Sequence, residues 1–185
     1  MQGGFTVVEL LVTMAILLLF SGIGLSQYRA FSLNSDFANT GENIVFALRE
    51  AQVYGAGGKR TDGAGCGTPV SLFNCAYGVN FVNGSGSYNF FVDTNGNSVM
   101  DAGESIQTIL LGSGATITSL LCVRPSSTGP CVNYASITFK RPSPDALIIE
   151  TSGVPSYLDG VDITISNGIK TTTVKISSAG QISIR

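Results

Sequence analysis

The sequence contains no histidine and no tryptophan, and only 12% of its 185 residues are charged. Without histidine the chain has no imidazole general base, no histidine-activated nucleophile and no histidine metal ligand. The formal net charge of −2 gives no field strong enough to recruit nucleic acid or anionic lipid. We therefore predict that the protein is not an enzyme and does not bind nucleic acid.

The few charged side chains offer only weak alternatives to that prediction. Asp145 and Glu150 are a candidate carboxylate pair, but five residues apart on a predicted strand they face opposite sides. The basic residues of the C-terminal half that could form a DNA-binding strip are Lys140, Arg141, Lys170, Lys175 and Arg185. No aromatic side chains are interleaved with them, so solvated strand faces are the favoured interpretation.

The apolar residues concentrate near the N terminus, where no charged residue occurs from Leu10 to Tyr28. About 20 such residues in a helix cross a hydrocarbon core of about 30 Å. We predict that residues 5–28 form a transmembrane segment. The alternative is a signal peptide, but residues 1–4 carry no basic side chain and the apolar run exceeds the roughly 7–15 residues typical of that class.

The residues around this run resemble a known processing site. The stretch Gly4-Phe5-Thr6-Val7-Val8-Glu9-Leu10-Leu11-Val12 resembles the prepilin motif of type IV pilins and type II secretion pseudopilins. The resemblance implies that a prepilin peptidase removes residues 1–4 by cutting after Gly4 and then methylates the new amino terminus of Phe5.

In that family the glutamate at the position of Glu9 is thought to pair with the amino terminus of a neighbouring subunit during assembly, here that of Phe5. Two opposite charges inside an apolar bundle must pair or neutralise each other, so the role is physically sound. The implied partners are identical copies or other pilins in a homo- or hetero-oligomeric helical filament, the prepilin peptidase, and the inner membrane before assembly.

Two features depart from the family. The leader lacks basic residues, and many relatives carry a proline where this chain has Ser26. Instead, the chain has Gly22 and Gly24, each of which costs a helix interior about 1 kcal/mol relative to alanine. The β-rich C-terminal half resembles, loosely, the H-type minor pseudopilins.

A helical pattern continues beyond the apolar run. Phe37, Gly41, Ile44, Leu48 and Ala51 recur at spacings of three and four, with Ala38 and Val45 beside them. We predict that residues 29–57 form an amphipathic helix, which the glycines at positions 55, 57 and 58 end. A single helix from residue 5 is favoured, and two helices with a hinge near residues 26–34 are the alternative.

After residue 57 the period changes to two, which predicts strands. The predicted strands are Tyr77–Val82, Tyr88–Val92, Ile106–Leu111, Ser136–Lys140, Ala146–Ile149 and Asp162–Ser166, followed by a terminal hairpin. Asn83-Gly84 and Asn167-Gly168 predict tight hairpin turns. The expected fold class is therefore α+β, pilin-like: a long, partly transmembrane N-terminal helix packed on an antiparallel sheet, with residues 58–185 as the β-rich globular domain.

The four cysteines form two near pairs, Cys66 with Cys75 and Cys122 with Cys131. Zinc sites favour two to four residues between paired cysteines, which argues against a metal. We predict two local disulfides, although the two crossed pairings and free thiols remain open. Disulfides are typical of exported domains.

Residues 93–104 carry the oxygen pattern of a calcium loop. With Asp93 as position 1, side-chain oxygens fall at Asp93, Asn95, Asn97, Asp101 and Glu104, and Val99 offers its carbonyl at position 7. Position 6 is Ser98 where the motif has glycine, and the flanks are strands rather than helices. We predict a bound calcium ion. The alternative is an Asx-rich turn.

The prepilin resemblance implies that the chain is a structural subunit of a type IV pilus or related filament, assembled through its hydrophobic N-terminal helix. The alternatives are a minor pseudopilin of a type II secretion system and a minor pilin that captures DNA. The expected location is the cytoplasmic (inner) membrane before assembly and an extracellular filament on the bacterial surface afterwards.

Overall fold

The computed structural model describes Gly4 and residues 6–61, 65–66, 70–150 and 158–185, with side chains except those of residues 23–36 and 113. The chain divides into two units, residues 1–36 and 37–185. The predicted leader residues 1–3 and the predicted new terminus Phe5 lie outside the described residues.

One α-helix, α1 (Val7–Gly57), contributes to both units. In the first unit, its large apolar side chains from Val7 to Phe20 are exposed. No helix within the described residues has both the length and the apolar character needed to cross a membrane. The prediction of a transmembrane segment at residues 5–28 is therefore wrong. The strongly apolar stretch Val7–Phe20 is only about 21 Å long at 1.5 Å per residue, and Ser21, Gly22 and more polar residues follow it.

The predicted location in the cytoplasmic membrane is corrected by the same finding. Both predicted disulfides, Cys66–Cys75 and Cys122–Cys131, are present, so the prediction of two local pairs is confirmed. Disulfides form and persist in oxidising compartments, which is typical of secreted or extracellular proteins.

In the second unit, α1 buries the face that the sequence predicts. Phe37, Ile44, Leu48 and Ala51 are each at most 2% exposed and belong to the core. Ala38, predicted beside them, is instead exposed. The helix ends at Gly57, and the next residue has a positive φ of 65° that glycine adopts without strain.

Within the described residues, ten strands follow the helix and form two antiparallel five-stranded sheets. They are β1 (Ala76–Val82), β2 (Ser87–Asp93), β3 (Ser105–Leu110), β4 (Thr116–Arg124), β5 (Ser127–Pro130), β6 (Tyr134–Phe139), β7 (Ala146–Ile149), β8 (Gly160–Ser166), β9 (Thr171–Ser177) and β10 (Ile182–Ile184). The first sheet has the order β3-β2-β1-β6-β7 and the second has the order β10-β9-β8-β4-β5. One hydrophobic core joins residues of both sheets and the helix.

The predicted fold class is therefore wrong in its architecture. The fold is mostly antiparallel β, with two sheets where one was expected, and it is not a long helix packed on a sheet. Only residues 37–57 of the helix belong to the β-containing unit. The eight predicted strand positions are confirmed, but β4 and β5 were missed.

An irregularity explains why β4 was missed. The register of β4 against β8 shifts between Ile117 and Ser119. As a result, the buried residues are Ile117, Leu120 and Cys122, spaced first by three and then by two. A β-bulge of this kind breaks the two-residue alternation on which strand prediction depends.

The helix approaches both sheets closely at glycine positions. A Cβ atom on Gly55 would lie 2.1 Å from the carbonyl oxygen of Phe139 in β6. A Cβ atom on Gly41 would lie 2.6 Å from a side-chain methyl group of Ile184 in β10. The absence of side chains at these positions allows helix and sheets to share one core.

Candidate functional site

The polar loop 93–104 joins β2 to β3 and begins and ends on a buried carboxylate. Asp93 is the last residue of β2 and is 2% exposed, and Glu104, which immediately precedes β3, is 4% exposed. Two buried carboxylates in one loop are costly unless hydrogen bonds or a cation satisfy them.

Asp93 is held by the backbone of its own loop. Its Oδ1 accepts a hydrogen bond from the N–H of Gly96 (2.6 Å), and its Oδ2 accepts one from Ser98 (2.9 Å). Ser98 has a φ of +61°, in the left-handed region. Position 6 of a calcium loop makes a sharp turn that usually requires glycine. In this chain the backbone makes a left-handed turn at that position, although the residue is a serine.

Glu104 closes the other end of the loop. Its Oε1 accepts hydrogen bonds from the backbone N–H (2.8 Å) and the hydroxyl (2.7 Å) of Thr94, and its Oε2 accepts one from the N–H of Asp101 (3.0 Å). The carboxylate therefore connects the first residues of the loop to the last ones.

The exposed part of the loop is organised around Asp101. The side-chain amides of Asn95 and Asn97 both donate to its Oδ2, at 2.8 and 2.7 Å. The amide oxygens of these asparagines accept the backbone N–H groups of Asn97 (3.0 Å) and Val99 (2.8 Å). These are the Asx turns that the alternative interpretation of the sequence expects.

The electrostatics of the loop favour a cation. Burial raises the pKa of Asp93, the hydrogen bonds from Ser98 and Gly96 oppose this, and the negative charge of Glu104 raises it further. Because the pKa of Asp93 is higher in the folded state than in the unfolded state, its ionised form lowers the stability of the fold near neutral pH. This loss of stability becomes smaller as the pH falls through the raised pKa. The two ion pairs among the described residues, Arg124–Glu150 and Lys175–Asp162, do not include the loop.

The loop residues match calcium in donor chemistry, since all of them offer hard oxygen atoms. They do not form a closed cage. In the described part of the chain, the one group of three cysteine or acidic side chains whose ligand atoms lie within 4.8 Å of one another is Cys122, Cys131 and Glu150. Its sulfur atoms form a disulfide, so that group is no metal site.

The N-terminal motif shows a local role for Glu9 that the sequence analysis missed. The hydroxyl of Thr6 accepts the N–H of Glu9 (3.3 Å), and Oε2 of Glu9 accepts the N–H of Thr6 (3.4 Å). This reciprocal arrangement is a capping box, and Thr6-x-x-Glu9 is its sequence signature. Gly4 is exposed, while Phe5, the other predicted processing residue, is outside the described part of the chain.

A second buried charge cluster was also missed. Glu150, at the end of β7, accepts Nη2 of Arg124 at 2.6 Å and the backbone N–H of Val132 at 3.0 Å. Arg124 ends β4, so this ion pair connects the two sheets beside the Cys122–Cys131 disulfide. Sequence spacing gave no signal for a pair 26 residues apart.

The basic residues considered as an alternative DNA-binding strip are divided between the two sheets. Lys140 follows β6 of the first sheet, whereas Lys175 lies in β9 of the second and pairs with Asp162.

No protein-family model matches the chain, and neither the curated proteins nor the solved structures include a detectable match.

Proposed function

We propose that this chain is a structural subunit of a filament of the type IV pilus or pseudopilin kind, and that it assembles through the apolar N-terminal part of α1. We call the segment Val7–Phe20 the assembly helix. The observation that supports the proposal is that the apolar side chains of this segment are exposed. Eleven of its large hydrophobic side chains are between 45% and 77% exposed.

These side chains surround the helix rather than lining one stripe. They are Val7, Val8, Leu10, Leu11, Val12, Met14, Ile16, Leu17, Leu18, Leu19 and Phe20. A helix that is apolar on every side is stable only when other apolar surfaces cover it. Identical helices from neighbouring copies supply such a surface, and the burial of apolar area drives their association.

Glu9 is the one charged residue of the assembly helix. The capping box gives the Glu9 carboxylate a hydrogen bond from the N–H of Thr6. The negative charge of Glu9 still enters the helix bundle when copies associate. A positive partner on a neighbouring copy, such as a processed amino terminus at Phe5, would compensate the charge and set the axial position of that copy. This is the role that the prepilin resemblance implies.

Leu18→Asp in the full chain should abolish assembly, because it would bury an unpaired carboxylate in an apolar helix bundle. Burying an uncompensated polar group costs roughly 2–7 kcal/mol, and burying an unpaired charge costs more. Negative-stain electron microscopy and sedimentation should show filaments for the unchanged chain and none for the variant. Glu9→Gln keeps the capping box, since glutamine serves at that position, and removes the charge. It should assemble more slowly.

The matched control is Ile169→Asp, which places the same charge on a side chain that is 85% exposed in the turn between β8 and β9. It should assemble normally. Filaments built by Leu18→Asp at the normal rate would overturn the proposal. Normal assembly of Glu9→Gln would limit the error to the charge-pairing role.

We also propose that the loop 93–104 binds calcium and stabilises the β-containing unit. The support is the pair of buried carboxylates without a cationic partner among the described residues, together with the left-handed turn at Ser98. Asp93 and Glu104 would hold the ion from the two ends of the loop. Asp101 would add a third negative charge close to the positive charge of the ion.

Calcium at ten times its Kd should stabilise the full chain by about 1.4 kcal/mol. For a chain of this size, that corresponds to a rise in Tm of roughly 3–6 °C. A chelator should reverse the rise, and magnesium should not restore it, because that smaller ion retains its waters. Asp101→Ala should remove the response without disturbing the core, since Asp101 is exposed.

The control for the calcium measurement is Asp145→Ala, which removes an exposed carboxylate outside the loop and should keep the full response. Isothermal titration calorimetry provides an independent measurement. A chain that gives no heat with calcium and melts identically in a chelator would show that residues 93–104 are an ordinary polar turn.

A further inference from the structure

In the second unit, α1 carries an exposed stripe on the side opposite the core. Ala38, Glu42, Phe46, Arg49 and Val53 follow one another at spacings of four, four, three and four, so they lie on one face of the helix. We call these five residues the outer stripe. All five are exposed, and the two large apolar ones, Phe46 and Val53, are 69% and 66% exposed.

The two charged residues of the outer stripe are available to a partner molecule. Neither Glu42 nor Arg49 takes part in the two ion pairs that the described residues form. They are seven positions apart in the sequence, which separates their Cα atoms by about 10.5 Å along the helix axis. A second molecule that places an opposite charge beside each of them would therefore gain two ion pairs.

The outer stripe is complementary to itself when its direction is reversed. Its order is apolar, acidic, aromatic, basic and apolar. If a second copy of the helix lies antiparallel and is centred at Phe46, Glu42 of each copy lies opposite Arg49 of the other. Ala38 of each copy then lies opposite Val53 of the other, and the two Phe46 side chains meet at the centre, where aromatic pairs attract each other.

A parallel arrangement of the same faces is unfavourable. In register, it would place Glu42 beside Glu42 and Arg49 beside Arg49, and like charges at such positions repel each other. The charges of the outer stripe therefore favour the antiparallel pair. That pair is isologous, since both copies use the same surface, and it closes at two copies.

We propose that two unassembled copies of this chain pair antiparallel through the outer stripe, with Phe46 at the centre. The apolar contacts provide the attraction, and the contacts between Glu42 and Arg49 fix the direction and the register. Five residues on each side are far fewer than the roughly 20–30 of a stable complex, so the dimer should be weak and depend on protein concentration. The contact does not involve the assembly helix.

Cysteine crosslinking of the purified full chain tests the register, since all four native cysteines are disulfide-bonded. With helix axes about 9 Å apart and Cα atoms about 2.3 Å from each axis, the facing Cα atoms at Phe46 lie about 4–5 Å apart, which a disulfide spans. Under mild oxidation, Phe46→Cys should form a crosslinked dimer several-fold faster than Val53→Cys. Val53 is the matched control because it is almost equally exposed, but the two copies of this residue would lie more than about 20 Å apart.

A second cysteine converts this control into a positive test. Adding Ala38→Cys to Val53→Cys should make crosslinking several-fold faster, because these two positions face each other in the proposed pair. In this double-cysteine chain, Glu42→Arg or Arg49→Glu places like charges opposite each other and should slow crosslinking several-fold. Both charge changes together restore opposite charges and should return the rate to near its original value.

All variants are also made in the Leu18→Asp background, in which helix-driven assembly is blocked. The filament proposal is judged by filaments of the unchanged chain and the dimer by the crosslinked positions, so the two can fail separately. Faster crosslinking of Phe46→Cys than of Val53→Cys, with recovery in the charge-swapped chain, supports the dimer. Equal crosslinking at these two positions, or a charge-swapped chain as slow as the single charge variants, would overturn it.

Discussion

Gly55→Ala should lower the free energy of unfolding by about 3 kcal/mol, at the upper end of the cost of overpacking a core. The added methyl group would lie 2.1 Å from the carbonyl oxygen of Phe139 and 2.6 Å from its carbonyl carbon. These are backbone atoms of β6, so no rotamer change relieves the clash. The carbonyl of Gly55 also accepts the N–H of Arg141 at 3.1 Å, and this bond should break as the helix moves away.

Chemical denaturation of the full chain, followed by circular dichroism, measures this loss. The matched control is Gly57→Ala, two residues further along the same helix, where a Cβ atom would meet nothing within 4 Å. It should be neutral or stabilising by up to about 1 kcal/mol, because alanine favours the helix more than glycine does. Equal losses for the two variants would show that the close approach of helix and sheet is not what makes position 55 sensitive.

Glu150→Ala should cost about 2–3 kcal/mol. The change leaves the Arg124 charge and the N–H of Val132 without their acceptor, and breaking a buried pair typically costs about 3–5 kcal/mol. The expected loss is below that range because the Arg124 side chain keeps 28% of its exposure and remains partly hydrated. The shift of the denaturation midpoint measures this loss, provided that the slope of the unfolding free energy against denaturant concentration (the m value) is unchanged.

Two comparisons make the Glu150 result interpretable. Asp162→Ala breaks the second ion pair, whose side chains are 22% and 38% exposed, and should cost less than about 1 kcal/mol. Combining Glu150→Leu with Arg124→Met replaces both charges by apolar groups and should recover much of the loss. If Asp162→Ala costs as much as Glu150→Ala, burial does not determine the strength of these pairs.

Local patterns in the sequence predicted most of the secondary structure. Asn83-Gly84 and Asn167-Gly168 form the expected turns, and both glycines have positive φ angles of 79° and 84°. The heptad-like spacing from Phe37 to Ala51 identified the buried helix face. These features depend on neighbouring residues only, so a single sequence contains them.

The division into two sheets could not be predicted in the same way. It depends on which strands pair, and β4 pairs with β8, whose residues lie 37 (Val123 with Gly160) to 50 positions (Thr116 with Ser166) further along the chain. The failure at the N terminus has a different cause. Hydropathy and the absence of charge predicted a membrane span, but the strongly apolar stretch ends at Phe20, before the required length is reached.

For the candidate site, the residue types were predictable and their partners were not. The spacing from Asp93 to Glu104 identified a loop of oxygen donors. The hydrogen bonds of Glu104 to Thr94, and of both asparagine amides to Asp101, depend on how the loop folds back. The capping box of Glu9 was available from Thr6-x-x-Glu9, but the interpretation of Glu9 as an intermolecular partner left no reason to look for it.

The two disulfides also bear on how the chain acquires its structure. Each joins cysteines only nine positions apart in the sequence. Closing a short loop loses less chain entropy than closing the much longer loops of a crossed pairing. The correct bonds should therefore form first, as soon as each pair of thiols meets an oxidant, and before the distant strands β4 and β8 have found each other. Oxidative folding of this chain should need little disulfide isomerisation.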